Sequence, residues 1–437
     1  MNNPVPGSCG YPIISDKTLE FVNDPQKFIQ SKITQHSSRI FQARFLNNRT
    51  VFVCSPALIK ELLIDKAHNF EYGYNQSSLR GLYGDSILFE TFEDAMYLRS
   101  CMMPVFKDPQ KYQLKIDKLC IPFIDSLHTY KDGVHIYTKF KSLMTTLCLQ
   151  LFLGLDPDLP SKLSQVISEL ATQHWHGITS VPISIKFGDQ QSTYSIAVQA
   201  KAKLLEHIRE ILKNDATKMP QEDNSSKRNG GATVLEEIKK APFPNDQGLE
   251  QHLLLFVSAI IPKAFASIIT SFITAMAGDE NKERREQART NPQFLKHVLL
   301  EVERLWPPLF GGRRLTKKDT VLGNHKIPKD YAVFYICISA HRDPAIFPEP
   351  DRFFPERWSG SNAIHQDLVF CFGAGARSCI GTEFIQRILI NIAQQLLNRY
   401  DWRFTTDTQN LTYKILPIAR PIEEPKVIFH ITPHHCD

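Results

Sequence analysis

The sequence predicts a mainly α-helical protein with a small β portion, and three observations support that fold class. The 437 residues include 42% hydrophobic residues and 28 phenylalanines, which are enough to fill a large core. Apolar residues recur at three- and four-residue spacing through much of the chain between 92 and 305, as in amphipathic helices. Strand-like stretches are short and lie towards the two ends. We therefore expect one domain over residues 1–437, whose β-rich part lies roughly at 37–56, 313–340 and 404–432.

Composition argues against several classes of protein. The 51 Lys and Arg residues nearly balance the 46 Asp and Glu residues, so the net charge of +5 gives no reason to expect a nucleic-acid partner. The nine cysteines are scattered and contain no Cys-x-x-Cys pair, which argues against a disulfide framework or a zinc site and favours a reducing compartment. No run of about 18 apolar residues occurs. We expect a soluble, cytoplasmic monomer, and a peripheral association with a membrane surface is also compatible with the sequence.

The first ninety residues predict a helix, a hairpin, a second helix and a long loop. Asp24–Pro25 marks the start of the first helix. Two strand candidates joined by a tight turn follow, namely Ile40–Phe45 and Thr50–Cys54 with the turn at Asn47–Arg49. Ser55–Pro56 opens the second helix. Residues 71–90 are rich in Gly, Tyr, Ser and Asn, and a loop of that length commonly serves as a lid or a binding loop.

The rest of the chain is predicted to be helical until short strands return near its C-terminal end. Residues 92–215 show the helical pattern, and the polar segment 213–232 is typical of a surface connection. A long apolar helix is predicted at Gln251–Met276. The segment Asn291–Leu305 is also helical, because Asn291 can cap it and a proline suits the first helical position. The strand candidates of this part are Thr320–Ile327, Ala332–Ile336 and Val427–Ile431.

The stretch from Phe372 to Gly381 carries the strongest chemical signal. Glycines at 373, 375 and 381 let the backbone turn tightly and approach something flat and bulky. Cys379 lies where this loop runs into a helix, and the free N–H groups and the dipole of a helix start favour a thiolate over a thiol. Such a thiolate is a strong ligand for iron. Arg377 offers a permanent positive charge to an acidic group on whatever the loop binds.

This stretch resembles the haem-binding loop of the cytochrome P-450 family, Phe-x-x-Gly-x-Arg-x-Cys-x-Gly. Every defined position of that pattern is present here, at Phe372, Gly375, Arg377, Cys379 and Gly381. The resemblance implies the cytochrome P-450 fold, which is a single triangular-prism-like domain, and haem b (iron protoporphyrin IX) as cofactor. It also implies that Cys379 is the metal ligand.

Haem has two propionates that need cationic partners, and the resemblance assigns arginines to that role. Arg377 and Arg314 match the family's positions. Arg99 matches as well, although Ala95 stands four residues ahead of it, where the family has Trp or His. These arginines complete the set of cofactor-binding residues that the resemblance implies.

A second motif of the family lies upstream of the cysteine loop. Glu301 and Arg304 stand three residues apart and so share one face of the predicted helix. The resemblance implies that they meet Arg357, from Phe354-Pro355-Glu356-Arg357, in a buried structural network behind the haem loop. The stretch from 306 to 358 is most similar to the retinoic-acid hydroxylase-like branch, which suggests a terpenoid, retinoid or sterol-like substrate.

The helix expected to roof the haem departs from the family. Relatives carry Ala/Gly-Gly-x-Asp/Glu-Thr there, an acid and an alcohol that deliver protons. Alignment on the leucines at 253–255 gives the catalytic stretch of this chain, namely Ser258, Ala259 and Pro262. Ile261 then takes the position of the acid, and Pro262 takes that of the threonine. Pro262 also removes a backbone donor and clashes with the carbonyl group of Ser258, which predicts a kink.

Three functions remain open. The first is a haem-thiolate monooxygenase that hydroxylates a hydrophobic small molecule and takes electrons from a separate reductase or ferredoxin. Its protons would pass through Ser258, water or a substrate hydroxyl. The second is an electron-independent haem-thiolate enzyme, such as a peroxygenase, a hydroperoxide-rearranging enzyme or an isomerase. The third is a protein that binds haem or a lipid without turnover. We rank them in this order because monooxygenases dominate the family.

Overall fold

The computed structural model describes residues 3–73, 78–156, 162–178, 180, 184–187, 190–217, 231–258, 260–361, 363–405 and 411–432. Helices predominate over short strands in these residues, so the predicted fold class, mainly α with a small β portion, is confirmed. The helices are α1 (Thr18–Asn23), α2 (Pro25–His36), α3 (Pro56–Lys60), α4 (Ser78–Tyr83), α5 (Phe92–Lys107), α6 (Gln113–Asp125), α7 (Ile136–Leu153), α8 (Lys162–Ile178), α9 (Thr193–Thr217), α10 (Val234–Ile238), α11 (Asp246–Val257), α12 (Ile260–Ala275), α13 (Lys282–Thr290), α14 (Pro292–Leu305), α15 (Cys337–Ala340) and α16 (Thr382–Arg399).

The strands are short and are spread along the chain. They are β1 (Asn3–Pro4), β2 (Ile40–Phe45), β3 (Asn48–Val53), β4 (Phe70–Tyr72), β5 (Val134–His135), β6 (Lys186–Phe187), β7 (Gln190–Gln191), β8 (Gly311–Thr316), β9 (Thr320–Leu322), β10 (His325–Ile327), β11 (Ala332–Ile336), β12 (Tyr400–Phe404), β13 (Tyr413–Lys414), β14 (Arg420–Pro421) and β15 (Lys426–Ile431). Two 3₁₀ turns matter for the site, at Pro355–Trp358 and at Gly375–Arg377.

Capping residues set the starts of two predicted helices. The carboxylate of Asp24 accepts a hydrogen bond from the N–H of Lys27 at 2.9 Å, and α2 begins at the next residue, Pro25. The side chain of Asn291 accepts hydrogen bonds from the first turn of α14, which begins at a proline and ends at Leu305. Both helices therefore have the predicted N-terminal boundaries, because local capping chemistry determines them.

The turn predicted at Asn47–Arg49 is wrong by about one residue. Phe45 and Asn48 are paired across β2 and β3, so the turn consists of Leu46 and Asn47. Both of these residues have positive φ, at 51° and 55°. Two-residue hairpins need this left-handed conformation because it matches the twist of the flanking strands.

The long loop predicted at 71–90 is also partly wrong. It begins inside β4 and contains the helix α4, whereas the sequence pattern indicated neither. The strand β8 was not among the strand candidates, because its sequence Gly-Gly-Arg-Arg-Leu-Thr lacks the alternation of a half-buried strand, although most of it lies inside the predicted β-rich part 313–340. In the structure β8 pairs antiparallel with both β4 and β11, so it is internal to a sheet.

The long apolar helix predicted at Gln251–Met276 is two helices. α11 ends at Val257, and Ser258 leaves the helical region with φ −52° and ψ 140°. α12 begins at Ile260, which places Pro262 in its first turn, where a missing N–H costs no hydrogen bond. The kink predicted from Pro262 is therefore a break at Ser258.

Residue contacts divide the chain into two compact units. The first unit comprises residues 1–74, 267–382 and 397–437, and the second comprises residues 75–266 and 383–396. The first unit contains a five-stranded sheet in the order β2-β3-β11-β8-β4, with β3 and β11 parallel. Phenylalanine rings from α1, α2 and this sheet pack together 4.9–6.3 Å apart, namely Phe21, Phe28, Phe41, Phe45, Phe52 and Phe334.

The second unit is built mainly from helices, and its described strands are the short β5, β6 and β7. Phe384, near the start of α16, packs edge-on against Phe106 and Tyr112 at ring distances of 5.8 and 5.6 Å. Among the described residues, α11 and α12 together make up an apolar segment, Gly248–Ala275, that is long enough to cross a membrane by length and composition, with a mean hydropathy of 2.0 in its most apolar window. Because 71% of that window is buried inside the protein, the stretch has the pattern of a core helix.

Candidate active site

The loop that ends at Cys379 is a tight turn closed by its own backbone. The N–H of Cys379 donates to the carbonyl oxygen of Phe372 at 2.7 Å, and the N–H of Ser378 donates to that of Gly375 at 3.0 Å. α16 begins at Thr382, whose hydroxyl donates to the carbonyl oxygen of Cys379 at 2.8 Å. The backbone of Cys379 is therefore fixed from both sides, between the loop and the helix that follows.

Two glycines make this turn feasible. Gly373 and Gly375 have φ of 70° and 67°, in the left-handed region that residues with a Cβ rarely adopt. A Cβ on Gly375 would also collide with the carbonyl oxygen of Leu63. Gly381 is buried, and Phe372 is half-buried. At Gly375 the closely approaching group is the backbone after α3, and the approach of the loop to something flat and bulky stays a prediction.

Cys379 differs from the other cysteines in its accessibility. Of the eight cysteines in the described part of the chain, six are buried and Cys371 is half-buried, whereas Cys379 is exposed. Burial raises the pKa of Cys337 to about 12 and that of Cys371 well above its ordinary value, so both remain thiols. Within the described residues, Cys379 is therefore the cysteine placed to bind an external metal.

Two arginines of the predicted set share one tyrosine in the first unit. Tyr72 of β4 stands directly opposite Arg314 of β8 in the sheet. The guanidinium carbon of Arg377 lies 4.1 Å from the centre of the Tyr72 ring, and that of Arg314 lies 4.9 Å from it. The structure thus brings Arg314 and Arg377 together around Tyr72, a residue that no sequence motif indicated.

The electrostatics of this cluster favour an acidic ligand. Burial lowers the pKa of Arg377, and the positive charge of Arg314 lowers it further. The nearby Tyr72 and Glu71 act in the opposite direction and raise it. The guanidinium groups of Arg314 and Arg377 repel each other. The nearby carboxylate of Glu71 also pairs with Lys317 at 3.8 Å, so it compensates the two arginines only in part. A ligand with two carboxylates would relieve this repulsion. An exposed thiol, a glycine loop and paired arginines are together the donor set that haem needs, so the residues present fit that cofactor.

Glu301, Arg304 and Arg357 form the buried network that the resemblance implied. Arg304 donates two hydrogen bonds of 2.9 Å to the Glu301 carboxylate, and Arg357 donates a third at 3.0 Å. The backbone N–H of Phe354 and the indole N–H of Trp358 bring the number of donors to five. Glu301 and Arg304 are fully buried. The carboxylate thus ties α14 to the 3₁₀ turn at Pro355–Trp358.

His341 links this network to the cysteine loop, which the sequence did not reveal. Its Nδ1–H donates to the carbonyl oxygen of Arg304 at 3.0 Å, and its Nε2 accepts the N–H of Phe370 at 2.8 Å. Both bonds require the neutral ring, and burial lowers the pKa of His341 to about 3. The signal that could have found it is the segment His341-Arg342-Asp343-Pro344. This segment lies inside the stretch from 306 to 358 that resembles one branch of the family.

The predicted catalytic stretch lies in the second unit. The Ser258 hydroxyl is fully buried and lies 2.9 Å from the hydroxyl of Tyr83, which comes from the end of α4. Ala259 lies outside the described residues, and Ile261 is half-buried. The ammonium of Lys263 lies 4.3 Å from the centre of the Trp175 ring. The serine hydroxyl therefore has a tyrosine partner that is far away in sequence.

Arg99 also lies in the second unit, on α5. It is half-buried, and Ala95, one turn before it, is fully buried. A Trp or His at position 95 would carry a polar group into that buried place, whereas alanine contributes only a methyl group. The role of Arg99 as a propionate partner stays a prediction.

Comparisons with known proteins found similar sequences along most of the chain. The family model described as Cytochrome P450 matches residues 17–260 and 273–429. Relatives include the β-amyrin 28-monooxygenase CYP716A378 of Saponaria officinalis, 22% identical over 95% of this chain and 92% of that protein. Cytochrome P450 26A1 of Xenopus laevis is 23% identical over 96% of this chain and 89% of that protein.

Solved structures resemble the whole chain. The retinoic acid-bound cyanobacterial CYP120A1 has a TM-score of 0.81 and 22% identity, and the match covers 99% of this chain and 100% of that one. The haem domain of cytochrome P450DA has a TM-score of 0.79 and 16% identity, with 100% and 99% covered. At these identities the likeness shows the fold.

Proposed function

Because the chain belongs to the cytochrome P450 family and is an oxidoreductase of that family, we propose that it is a haem-thiolate monooxygenase that hydroxylates a hydrophobic small molecule. The observation that carries the proposal is the exposed Cys379 at the end of its glycine loop. We propose haem b as the cofactor, with Cys379 as the axial ligand, and the whole chain as one cytochrome P450 domain.

The residues of the first unit would hold the cofactor. The Cys379 sulfur would bind iron, and Arg314 and Arg377 would bind the propionates, with Arg99 as a third cation. The loop positions the sulfur through the hydrogen bond between Cys379 and Phe372. When bound, haem supplies the oxidising chemistry, and a thiolate ligand favours cleavage of the O–O bond. The Glu301 network and His341 keep the loop in place by hydrogen bonds that need no change of protonation.

Ser258, Ala259 and Pro262 are the residues we propose for the oxygen-binding side. Neither Ile261 nor Pro262 can donate a proton, so the Ser258 hydroxyl is the donor of this stretch. The segment between 78 and 90 supplies Tyr83 to it and would contact the substrate. The buried, apolar character of α11 and α12 suits a hydrophobic substrate, with few polar groups to fix its orientation.

We propose a terpenoid, retinoid or sterol-like substrate. Two relatives support this class by their names, since one oxidises β-amyrin and one solved structure holds retinoic acid. Electrons would come from a separate reductase or ferredoxin, because the sequence contains no Gly-x-Gly-x-x-Gly after a strand. We further propose that the protein acts as a monomer in the cytoplasm and can touch a membrane surface while it takes up an apolar substrate.

The first experiment tests the ligand. The purified protein is reduced under carbon monoxide and its Soret band is measured, with Cys379→Ala and Cys371→Ala as a matched pair from one loop. The thiolate-type band should be present in the wild type and in Cys371→Ala, and absent in Cys379→Ala. A thiolate-type band that survives in Cys379→Ala would rule out this assignment of the ligand.

A second candidate function is an electron-independent haem-thiolate enzyme, and the replacement of the acid–alcohol pair by Ile261 and Pro262 favours it. Turnover of retinoid and triterpenoid candidates should be compared with reductase and NADPH, with peroxide, and with no oxidant. The monooxygenase requires activity with reductase and NADPH. Activity confined to the other two conditions would establish the second candidate instead.

A further inference from the structure

A buried pair of hydroxyl groups stands in the stretch where the family has its acid and alcohol. Tyr83 Oη and Ser258 Oγ are 2.9 Å apart, which is hydrogen-bonding distance. Ser258 is fully buried and Tyr83 is 4% exposed. Both residues belong to the second unit, and they are 175 positions apart in sequence. The pair is therefore a tertiary feature that no sequence motif describes.

Pro262 explains why Ser258 is available for this contact. In a continuous helix, the N–H of residue 262 would donate to the carbonyl group of Ser258, but proline has no N–H. Here the N–H of Ile261 donates to that carbonyl at 3.3 Å, and Ser258 adopts ψ of 140°. The replacement of threonine by proline thus places a serine hydroxyl at the break between α11 and α12.

Two histidines hold the tyrosine side of the pair. The His174 ring of α8 packs edge-on against the Tyr83 ring at 5.0 Å, and its Nε2–H donates to the carbonyl oxygen of Leu82 at 3.0 Å. Three residues beyond Gly84, the N–H of Ile87 donates to Nε2 of His252 on α11 at 3.2 Å. His174 therefore contacts the Tyr83 ring and the backbone beside it, while His252 holds the backbone four residues further on.

The two hydroxyl groups can together donate one hydrogen bond beyond the one that joins them. Two hydroxyl groups contain two hydrogens, and the bond between them uses one. A phenol is a stronger acid than an aliphatic alcohol, so Tyr83 is the better donor and Ser258 the better acceptor. The hydrogen of Ser258 is then left for a second bond, and a hydroxyl that accepts a hydrogen bond becomes a better donor.

We propose that Ser258 is the catalytic hydroxyl that holds the proton-carrying water, and that Tyr83 is the positioning residue that orients it. The inference rests on the proposed monooxygenase function. Burial raises the pKa of Tyr83, so the phenol keeps its proton. Protons therefore come from water, and the pair orients that water without being oxidised or reduced.

The test uses four single variants, the double variant Tyr83→Phe with Ser258→Ala, and two readouts. Tyr83→Phe and Ser258→Ala each remove one hydroxyl, and Ser258→Thr retains it. Tyr112→Phe is the matched control, because Tyr112 is also buried in the second unit and its hydroxyl donates to the Val105 carbonyl at 2.8 Å. The first readout is the C–O stretching frequency of the reduced carbon monoxide complex, which responds to a nearby donor. The second is product formed per NADPH consumed.

Tyr83→Phe and Ser258→Ala should both shift the C–O stretch in the same direction and lower the product yield per NADPH about tenfold, the effect of one lost hydrogen bond of about 1.4 kcal/mol. The double variant should be no worse than Ser258→Ala alone, because the two residues act as one unit. Ser258→Thr keeps the hydroxyl and should recover part of the stretch and of the yield that Ser258→Ala loses, whereas Tyr112→Phe should behave like the wild type.

Three other outcomes distinguish a failure of this inference from a failure of the proposed function. An unchanged stretch and an unchanged yield in Ser258→Ala, in an enzyme that works with reductase and NADPH, would overturn this inference and leave the proposed function intact. Additive losses in the double variant would also overturn it. A wild type that turns over only with peroxide would overturn the proposed function and this inference together.

Discussion

The carboxylate of Glu301 holds together three segments of the first unit, namely α14, the backbone at Phe354 and the 3₁₀ turn at Pro355–Trp358. It is fully buried and accepts hydrogen bonds from two arginines, one tryptophan and one backbone N–H. A buried ion pair adds little net stability, since desolvation offsets most of the attraction. Removing one partner is different, because it leaves the other charges buried and uncompensated. Replacing Glu301 therefore lowers the free energy of unfolding by more than the intact ion pairs contribute to it.

We expect Glu301→Ala to lower the free energy of unfolding by about 3–5 kcal/mol and to prevent haem retention. Two guanidinium groups, those of Arg304 and Arg357, would remain buried without their carboxylate. Urea unfolding and the haem content of the purified protein measure the two effects. Asp367→Ala is the control, since Asp367 pairs with Lys60 at the surface and its loss should cost no more than about 1 kcal/mol. Normal haem content in Glu301→Ala would contradict the expectation.

Whether a residue of this network could be predicted depends on how far along the sequence its partner lies. Glu301 and Arg304 could be paired from the sequence because they are three positions apart on one helix. Arg357 was placed only by resemblance to the family. His341 and Trp358 were missed, because their bonds to the network depend on how separate segments fold back onto α14, and no local pattern encodes that path.

At the scale of elements, the cysteine loop is built around two left-handed glycines whose constraints differ. Gly373 has space around its Cα, since a Cβ there would meet the nearest heavy atom at 3.7 Å. Gly375 faces the carbonyl oxygen of Leu63 directly. The sequence predicted both as turn residues, but only the structure distinguishes conformational strain from a steric collision.

We expect Gly375→Ala to disrupt the loop and reduce haem occupancy several-fold, because it adds a collision with the Leu63 backbone to the cost of a left-handed alanine. The cost of the left-handed conformation alone is about 1–2 kcal/mol. Gly360→Ala isolates that cost, since Gly360 has φ of 84° and nothing within 4 Å of its added Cβ. Haem titration of both apoproteins makes the comparison. Equal haem affinities of the two variants would show that the collision is relieved by a backbone shift.

At the break between α11 and α12, the effect of a nearby residue could be predicted from the sequence, whereas a contact with a distant segment could not. Pro262 predicted a kink because a proline acts on its own preceding turn. The consequence for Ser258, a hydrogen bond with Tyr83, could not be predicted, because the helix α4 was itself read as part of a loop. Local chemistry determined where the helix breaks, and tertiary packing determined what fills the break.

At the scale of the whole molecule, the fold class followed from helical periodicity, whereas sheet membership did not. β8 is hidden in a sequence with two glycines and two arginines, yet it is internal to the five-stranded sheet. Its arginines are tolerated there because Arg313 donates to the Gly73 carbonyl at 3.0 Å and Arg314 stacks against Tyr72. One of the residues that disguise the strand, Arg314, is also one that we propose as a partner of the cofactor.

Buried titratable groups in both units give the folded protein a defined pH range. Burial lowers the pKa of His341 to about 3 and that of His174 to about 4, from an ordinary value of 6.5. As pH falls below 6.5, the unfolded chain binds protons that the native protein does not, so stability decreases. Burial raises the pKa of Glu303 from 4.5 to about 8, so the native protein binds the extra proton and stability decreases as pH rises through that interval.

These opposed slopes predict a maximum of stability near pH 6.5. Each group contributes about 1.4 kcal/mol per pH unit within its own interval. Between pH 4.5 and 6.5 the two histidines outweigh the one glutamate, and between 6.5 and 8 Glu303 acts alone among the three. Urea unfolding across this range should therefore show stability that falls on both sides. Glu303→Gln should flatten the alkaline side and steepen the acid side, where the two histidines would act unopposed. His174→Gln with His341→Gln should reverse the slope on the acid side, where Glu303 would remain. A maximum that stays in place in both variants would mean that other groups set the pH range.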